Sequence, residues 1–120
     1  AKTQVIAIAC GDETTDAAVL AATTTFRMPY AFTLTDVRAS LTTAATGAAF
    51  QVDINESATT ILSTKLTIDA TEKTSTTAAT PVVISDASLA DDAEITIDVD
   101  TVGSTVAGAG LKVYLIGYAT

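Results

Sequence analysis

The chain of 120 residues is predicted to form a single all-β domain, an antiparallel sandwich or barrel. Residues 50–55, 65–69 and 94–100 each alternate polar and apolar side chains without a break. Because successive side chains of a strand point to opposite faces, this period of two predicts strands with one buried and one solvated face. Turn residues separate eight or nine short segments of this kind, a spacing typical of sandwiches and barrels. A chain of this length needs one core, so we expect one domain over residues 1–120.

The N-terminal part of the chain is predicted to contain two strands joined by an acidic loop. Residues 4–10 are almost wholly apolar, so we expect a strand that is buried on both faces or paired with a partner chain. Residues 17–22 are too short and too poorly capped for a stable helix, and we interpret them as a loop or a strand edge. The next strand covers residues 23–28 and ends at Pro29, because proline cannot donate to a ladder.

The third predicted strand lies within residues 30–43 and changes its apolar phase partway. Phe32 and Leu34 share one face at even positions, whereas the apolar residues from Val37 onward are at odd positions. One extra residue must therefore be absorbed near Asp36. A β-bulge does this and bends the strand, as happens in sandwiches where a strand crosses toward the other sheet.

The rest of the chain is predicted to be short strands between polar turns. The predicted strands are residues 50–55, 61–69 (as two short strands or one bent strand), 81–84, 94–100 and 111–118, with a polar loop at 70–80. The alternation assigns a core of Val52, Ile54, Ile95, Ile97, Val99, Leu111, Val113 and Leu115, and places Asp53, Asn55, Asp98 and Asp100 in water.

The composition argues against several functions. The formal net charge of −8 repels phosphate backbones and anionic lipid, so we expect neither nucleic acid nor membrane as a partner. The chain has no histidine, which removes the proton carrier of a Ser-His-Asp triad. The single cysteine, Cys10, lies in an apolar run and is interpreted as a small buried hydrophobe. We expect no cofactor.

Three groups of carboxylates are candidates for chemistry. Glu94, Asp98 and Asp100 share one face of a predicted strand, where two of them could act as acid and base in a glycosidase. The clusters 12–16 and 91–94 hold Asp12, Glu13, Asp16, Asp91, Asp92 and Glu94, and oxygen ligands of this kind suit Ca²⁺. Neither cluster has the spacing of a calcium loop, so we favour a solvated strand face and ordinary loop carboxylates. No catalytic, cofactor-binding or metal residue is assigned.

The candidate interface residues are apolar or aromatic. Tyr30, Phe32, Tyr114 and Tyr118 are the aromatic residues with a plausible interface role, whereas Phe26 and Phe50 are predicted to be core. An apolar first strand would expose an edge prone to aggregation unless another strand covers it. The predicted interface residues are Val5, Ile6, Ile8, Tyr30 and Tyr118.

Four segments, residues 26–34, 52–56, 62–69 and 103–113, resemble small structural proteins of tailed bacteriophages, described as head decoration, head-fibre or tail-fibre modules. The resemblance covers nearly the whole chain from Phe26 onward. It implies a jelly-roll-like antiparallel β-sandwich of about eight strands, commonly trimeric, without enzymatic activity. It also implies a location in the virion, on the outer surface of the head or in a tail fibre.

The expected role is that of a capsid decoration or cement protein, which binds the major capsid protein or neighbouring virion proteins as a homotrimer. The chain begins with Ala1-Lys2, as after removal of an initiator methionine, and we expect a complete gene product, which suits a decoration protein better than a tethered fibre. The alternative is a tail-fibre, head-fibre or spike module that binds host-surface carbohydrate. The lack of tryptophan weighs against that alternative, because sugar sites favour aromatic platforms.

Overall fold

A computed structural model describes residues 2–120, in which eleven strands alternate with turns. The strands are β1 (Gln4–Ala9), β2 (Leu20–Arg27), β3 (Phe32–Ser40), β4 (Phe50–Glu56), β5 (Thr59–Thr60), β6 (Leu62–Thr64), β7 (Leu66–Ile68), β8 (Val83–Ile84), β9 (Ser88–Leu89), β10 (Glu94–Thr101) and β11 (Lys112–Ala119). The helical structure in this part of the chain is one 3-10 turn at Ser75–Thr77, which is far too short to traverse a bilayer.

Two antiparallel sheets face each other across the core. The first sheet has the strand order β1-β11-β3-β9, and the second has the order β2-β10-β4, with β5 and β7 both paired to β4. Strands β6 and β8 form a separate short pair. The chain passes between the two sheets repeatedly, and the two main sheets have the connectivity of a jelly roll when β5 and β7, which both pair with β4, are counted as one edge position. The predicted all-β, jelly-roll-like sandwich is therefore confirmed.

The core lies between the inner faces of the two sheets and follows the predicted alternation. All eight predicted core residues are at most 3% exposed. The polar residues that alternate with them on β4 and β10 lie on the side of the second sheet that points away from the core, where Glu94 is exposed and the others are half-buried. The period of two therefore identified the correct face of both strands.

The predicted bulge in β3 is present. Asp36 pairs with Ile116, but the next pair along the ladder joins Leu34 to Gly117, so Thr35 is the extra residue. The bulge lets β3 change its apolar phase while both halves of the strand face the same core. The strand pairs with β11 and β9 and stays within the first sheet, so the bulge does not carry it across to the second.

The structure corrects three expectations. Phe32, considered for an interface, is fully buried in the core, because the even positions at the start of β3 point inward. Strand β1 is not buried on both faces, since it lies at the edge of its sheet and Val5 is 56% exposed. Strand β2 begins at Leu20 rather than residue 23, because its pairing with β10 continues past a break in register.

Some other expectations at the level of single elements hold, and two hold only in part. Residues 61–69 form two short strands, β6 and β7, which pair with different partners. Phe50 belongs to the core as predicted, but Phe26, predicted to be core, and Cys10, interpreted as buried, are only half-buried at its margin, because β2 and β1 are edge strands. Strand β2 ends at Arg27, and Met28, which is buried, lies between that end and Pro29. The sequence-level breaks therefore coincide with the real boundaries of these strands to within a few residues.

Candidate interaction surface

The side of the first sheet that points away from the core is mainly apolar at β1 and β11, and we name it the outer face. Cross-strand pairs join Val5 to Ile116, Ala7 to Tyr114 and Ala9 to Lys112. On the other side of β11, Tyr114 pairs with Arg38 of β3. The outer face comprises Val5, Ala7, Ala9, Asp36, Arg38, Ser40, Lys112, Tyr114, Ile116 and Tyr118.

A shallow hollow of about 440 Å³ lies at the centre of the outer face. Its walls include Val5, Tyr114, Ile116 and Arg38, and the loop around Thr74 closes one side. Apolar side chains beside tyrosine and arginine form the combination that is enriched where protein interfaces gain most of their binding energy. The hollow is therefore suited to receive a side chain or a segment of another protein.

Polar contacts hold the larger side chains of the outer face in place. The Tyr114 hydroxyl lies 3.1 Å from the Ser40 Oγ, and the Arg38 Nε donates to the Asp36 Oδ2 at 3.1 Å. A side chain that is fixed before binding loses less rotamer entropy when a partner covers it. The centre of the outer face is thus preorganised for contact.

Three of the five predicted interface residues lie toward one end of the first sheet. Val5 is on the outer face, and Tyr118 is half-buried on the same face opposite Thr33 of β3. Tyr30 is 40% exposed just before β3, and its hydroxyl donates to Gln4 Oε1 at 2.9 Å. The Tyr30 bond connects the start of β3 to the start of β1.

The other two predicted interface residues, Ile6 and Ile8, point in the opposite direction. They alternate with the exposed residues of β1, contact the core and remain half-buried because β1 is an edge strand. The predicted interface set does not include Ile116, and Tyr114 is named only among the aromatic residues with a plausible interface role. The available signal was the strand over 111–118, in which even as well as odd positions carry large apolar or aromatic residues.

The outer side of the second sheet is acidic and internally bonded. Asp53 and Asp98 are direct cross-strand partners on β4 and β10. Asp98 accepts bonds from the Asn55 side chain at 2.8 Å and from the backbone N–H of Ala22 at 2.7 Å. The Thr60 hydroxyl donates to Asp53 at 2.6 Å. These carboxylates lie on an open sheet surface, and each accepts hydrogen bonds from neighbouring residues. Their contacts therefore indicate a structural role in the second sheet.

Lys65 offsets part of the charge of that acidic surface. Its Nζ lies 2.8 Å from Asp100 Oδ2. The bond to Asp100 raises the pKa of Lys65, and the nearby charges of Asp53 and Asp98 contribute in the same direction. The lysine therefore serves the carboxylates of β4 and β10 as a shared counter-charge.

The acidic loop after β1 is tied to the outer face by a charged bond. Glu13 receives the Lys112 Nζ at 2.8 and 2.7 Å on its two oxygens and the Thr42 hydroxyl at 2.6 Å. The Lys112 bond, with help from Thr42, lowers the pKa of Glu13. Asp12 accepts bonds from the backbone N–H groups of Thr15 and Thr14, and these lower its pKa as well. Asp12 and Glu13, which the sequence suggests are ordinary loop carboxylates, thus have specific hydrogen-bond partners within the protein.

The remaining candidates for chemistry are Cys10 and the two loop clusters of carboxylates. Burial raises the pKa of the Cys10 thiol, which favours the protonated and less nucleophilic form. Within residues 2–120, no three carboxylate, cysteine or histidine side chains come together as a metal ion would require. The loop clusters of Asp12 and Asp91 each spread their carboxylates among other contacts or solvent.

Comparisons of the chain with family models, with curated proteins and with solved structures return no match. The interpretation of function therefore depends on the outer face and on the predictions made from the sequence.

Proposed function

We propose that the protein is a non-enzymatic structural protein of a tailed-bacteriophage virion, which decorates the outer surface of the head as a homotrimer and binds the major capsid protein or its neighbours. The observation that carries the proposal is the apolar outer face of a chain with a net charge of −8. An apolar patch rimmed by polar residues on a charged protein is typical of a protein-binding surface. The resemblance of residues 26–34 and 103–113 supplies the virion context.

The chemistry of the outer face defines the kind of contact it would make. Val5, Ile116 and Tyr114 offer apolar area, while Arg38 and Ser40 offer donors at the rim. Such a contact is held mainly by burial of apolar surface and by hydrogen bonds, so binding should persist at high ionic strength. An interface made of exposed ion pairs would weaken as salt screens the charges.

A decoration role fits a contact of modest size. Symmetry repeats the same contact at every equivalent position of a shell, so a modest stabilisation for each copy adds to a large effect on the particle. A fibre tip works with few copies and needs a site for its receptor. Within residues 2–120, Tyr30 is the one exposed aromatic side chain, and its hydroxyl is bonded to Gln4, so this part of the chain has no group of exposed rings on which a sugar could stack.

The deciding experiment uses virions that lack the protein, prepared by deleting its gene from the phage that encodes it. We expect DNA release to begin at a lower temperature, while adsorption to host cells stays normal. Densitometry of complete virions should give a copy number close to that of the capsid protein. Normal heat resistance combined with lost adsorption, or a copy number of a few per particle, would contradict decoration and favour the fibre-tip role.

Purified protein added back to the deficient virions tests which surface binds. We expect Val5→Asp, which places a charge on the outer face, to weaken binding and to leave the heat resistance low. Thr25→Asp is the matched control, because Thr25 is an exposed strand residue on the second sheet and the change in charge is the same. Equal binding of the two variants would show that the outer face is not the contact.

A further inference from the structure

The two sheets have four edges within residues 2–120, and three of them are protected against further strand pairing. Strand β9 has two residues, and the edge beside β4 consists of β5 and β7, with two and three residues. Strand β2 is longer, but its register with β10 breaks between Ile97 and Val99, and Ala22 has a φ of +53° there. Short strands and bulges are the usual ways in which proteins prevent sheets from joining edge to edge.

The fourth edge, β1, has none of these protections. Its six residues, Gln4–Ala9, contain no charge and no proline, and the register with β11 runs without a shift. In the described part of the chain β1 pairs with β11 only, and its opposite side is open. An exposed, regular and apolar edge of this length is a template for another strand.

The backbone direction along β1 shows which groups are available. The N–H of Cys10 donates to the Leu111 carbonyl at 2.9 Å, so the even-numbered residues of this antiparallel pair exchange bonds with β11. The odd-numbered residues therefore direct their N–H and C=O groups to the open side. Val5, Ala7 and Ala9 form that row of donors and acceptors.

We propose that β1 pairs with β1 of a second copy of this chain, antiparallel and across a two-fold axis at Ala7. In this register Ala7 faces Ala7 of the second copy, Val5 faces its Ala9, and Ile6 faces its Ile8. The Ala7 and Val5–Ala9 pairs join the odd-numbered rows, so every free donor on one strand meets an acceptor on the other. The two first sheets merge into one continuous sheet.

The ends of the strand favour a second copy over an unrelated peptide. The chain is acidic, but Lys2 precedes β1 and Asp12 follows it, so antiparallel pairing brings the exposed Lys2 end of one copy near the exposed Asp12 end of the other, at both ends of the pair. Hydrogen bonds from the backbone N–H groups of Thr15 and Thr14 lower the pKa of Asp12, which favours its charged form. A two-fold contact is self-complementary, and opposite charges near its ends attract each other. The contact is independent of the virion role: it gives a dimer of single chains, or joins one trimer to the next.

The register can be tested by disulfide cross-linking in a Cys10→Ala background. Paired residues of a hydrogen-bonded antiparallel site have Cα atoms about 5.5 Å apart, which is within the range of a disulfide. We therefore expect Ala7→Cys to give a product of twice the chain mass on a non-reducing gel after mild oxidation. Ala9→Cys should not, because its two copies would lie roughly 13 Å apart along the strands.

A mixture of two variants provides a positive control for that spacing. Val5→Cys and Ala9→Cys should each remain unlinked alone and should cross-link when mixed, since these positions face each other only between copies. Cross-linking of Ala9→Cys alone to the same extent as Ala7→Cys, or no cross-linking of Ala7→Cys, would overturn the proposed register.

A charge-swap experiment measures association without cysteines. Ala7→Lys places like charges opposite each other at the two-fold axis, and Ala7→Glu does the same with the opposite sign, so each variant alone should associate less than the unmodified chain. An equimolar mixture should recover association by light scattering. Ala7 is exposed, so both variants should fold, and their far-ultraviolet circular dichroism spectra should match that of the parent. A parent chain that stays monomeric, or an Ala7→Lys variant that associates normally, would refute self-pairing.

Discussion

Gly117 on β11 lies so close to the backbone of Thr33 on β3 that a Cβ atom at position 117 would overlap the Thr33 carbonyl oxygen. The approach occurs where the bulge at Thr35 brings β3 toward β11. Backbone atoms cannot move aside as a flexible side chain can. The absence of a side chain at this position is therefore part of what allows β3 to change phase.

Replacing Gly117 by Ala should destabilise the fold by roughly 1 to 3 kcal/mol, the usual cost of an atom forced into a filled space. Chemical denaturation measures the change. Ala119→Ser is the matched control, because it also adds one heavy atom on β11 but at an exposed position. Equal free energies of unfolding for Gly117→Ala and Ala119→Ser would contradict the close approach of Gly117 to the Thr33 backbone.

The bulge illustrates how far the sequence alone could lead. The change of apolar phase between Leu34 and Val37 predicts an extra residue, because both halves of a strand must face one core. The requirement for Gly117 is not visible in this way, since it depends on a strand about 80 residues away in the chain. Local periodicity predicts what each strand buries, and only the register between strands shows where backbones approach.

Strand β1 shows a second limit of what the sequence alone can predict. Apolar residues at every position of residues 5–10 predict that both faces of β1 are covered, but they do not say what covers them. The structure covers Ile6 and Ile8 in part with its own core and leaves Val5 exposed. A partner and a core residue impose the same apolar pattern on a strand. The sequence therefore predicts apolar contacts on both faces of β1 but does not distinguish the face that meets the core from the face left exposed.

The hairpin between β4 and β5 should become more stable when Ala58 is replaced by Gly. Its two-residue loop, Ser57 and Ala58, has φ angles of +49° and +67°, the signs required by a type I′ turn. Residues with a Cβ atom pay for this left-handed conformation, so Ala58→Gly should stabilise the protein by roughly 1 kcal/mol.

Thermal denaturation provides the measurement, and Ala79→Gly provides the control. Ala79 is exposed and is not among the residues with positive φ, so glycine there should only add freedom to the unfolded chain and lower the stability. The two substitutions should thus shift the melting temperature in opposite directions. A decrease in both would contradict the turn type.

Adjacent residues of β10 should differ strongly in their effect on stability. Ile97 is fully buried between the sheets, whereas Thr96 is half-buried on the outer side of the second sheet. Ile97→Ala should cost ~2 to 5 kcal/mol through lost burial and the cavity that remains. Thr96→Ala should change the free energy of unfolding by less than about 0.5 kcal/mol. A larger effect of Thr96→Ala in denaturant titrations would mean that the strand is assigned to the wrong register.

The bond between Glu13 and Lys112 should make part of the stability depend on pH. The pKa of Glu13 is lower in the folded chain than its ordinary value, because Lys112 and Thr42 bond to the ionised carboxylate. A lowered folded pKa contributes stability above the unfolded pKa, which is about 4.3 for glutamate. That contribution disappears as the pH falls through the folded pKa. Glu13→Gln should therefore be less stable than the parent chain at pH 7, and the difference should shrink as the pH falls below about 4.

The measurement is a set of thermal melts between pH 7 and pH 2 on the parent, on Glu13→Gln and on Asp91→Asn. Asp91 is an exposed carboxylate on the turn before β10, and its neutralisation removes the same unit of negative charge from an acidic chain. The Asp91 variant thus reports the general relief of repulsion, which should be neutral or slightly stabilising at pH 7. Subtracting the change in melting temperature of Asp91→Asn from that of Glu13→Gln isolates the contribution of the Glu13–Lys112 bond. If Glu13→Gln follows Asp91→Asn at every pH, the bond adds no stability and the loop after β1 is held by its backbone contacts alone.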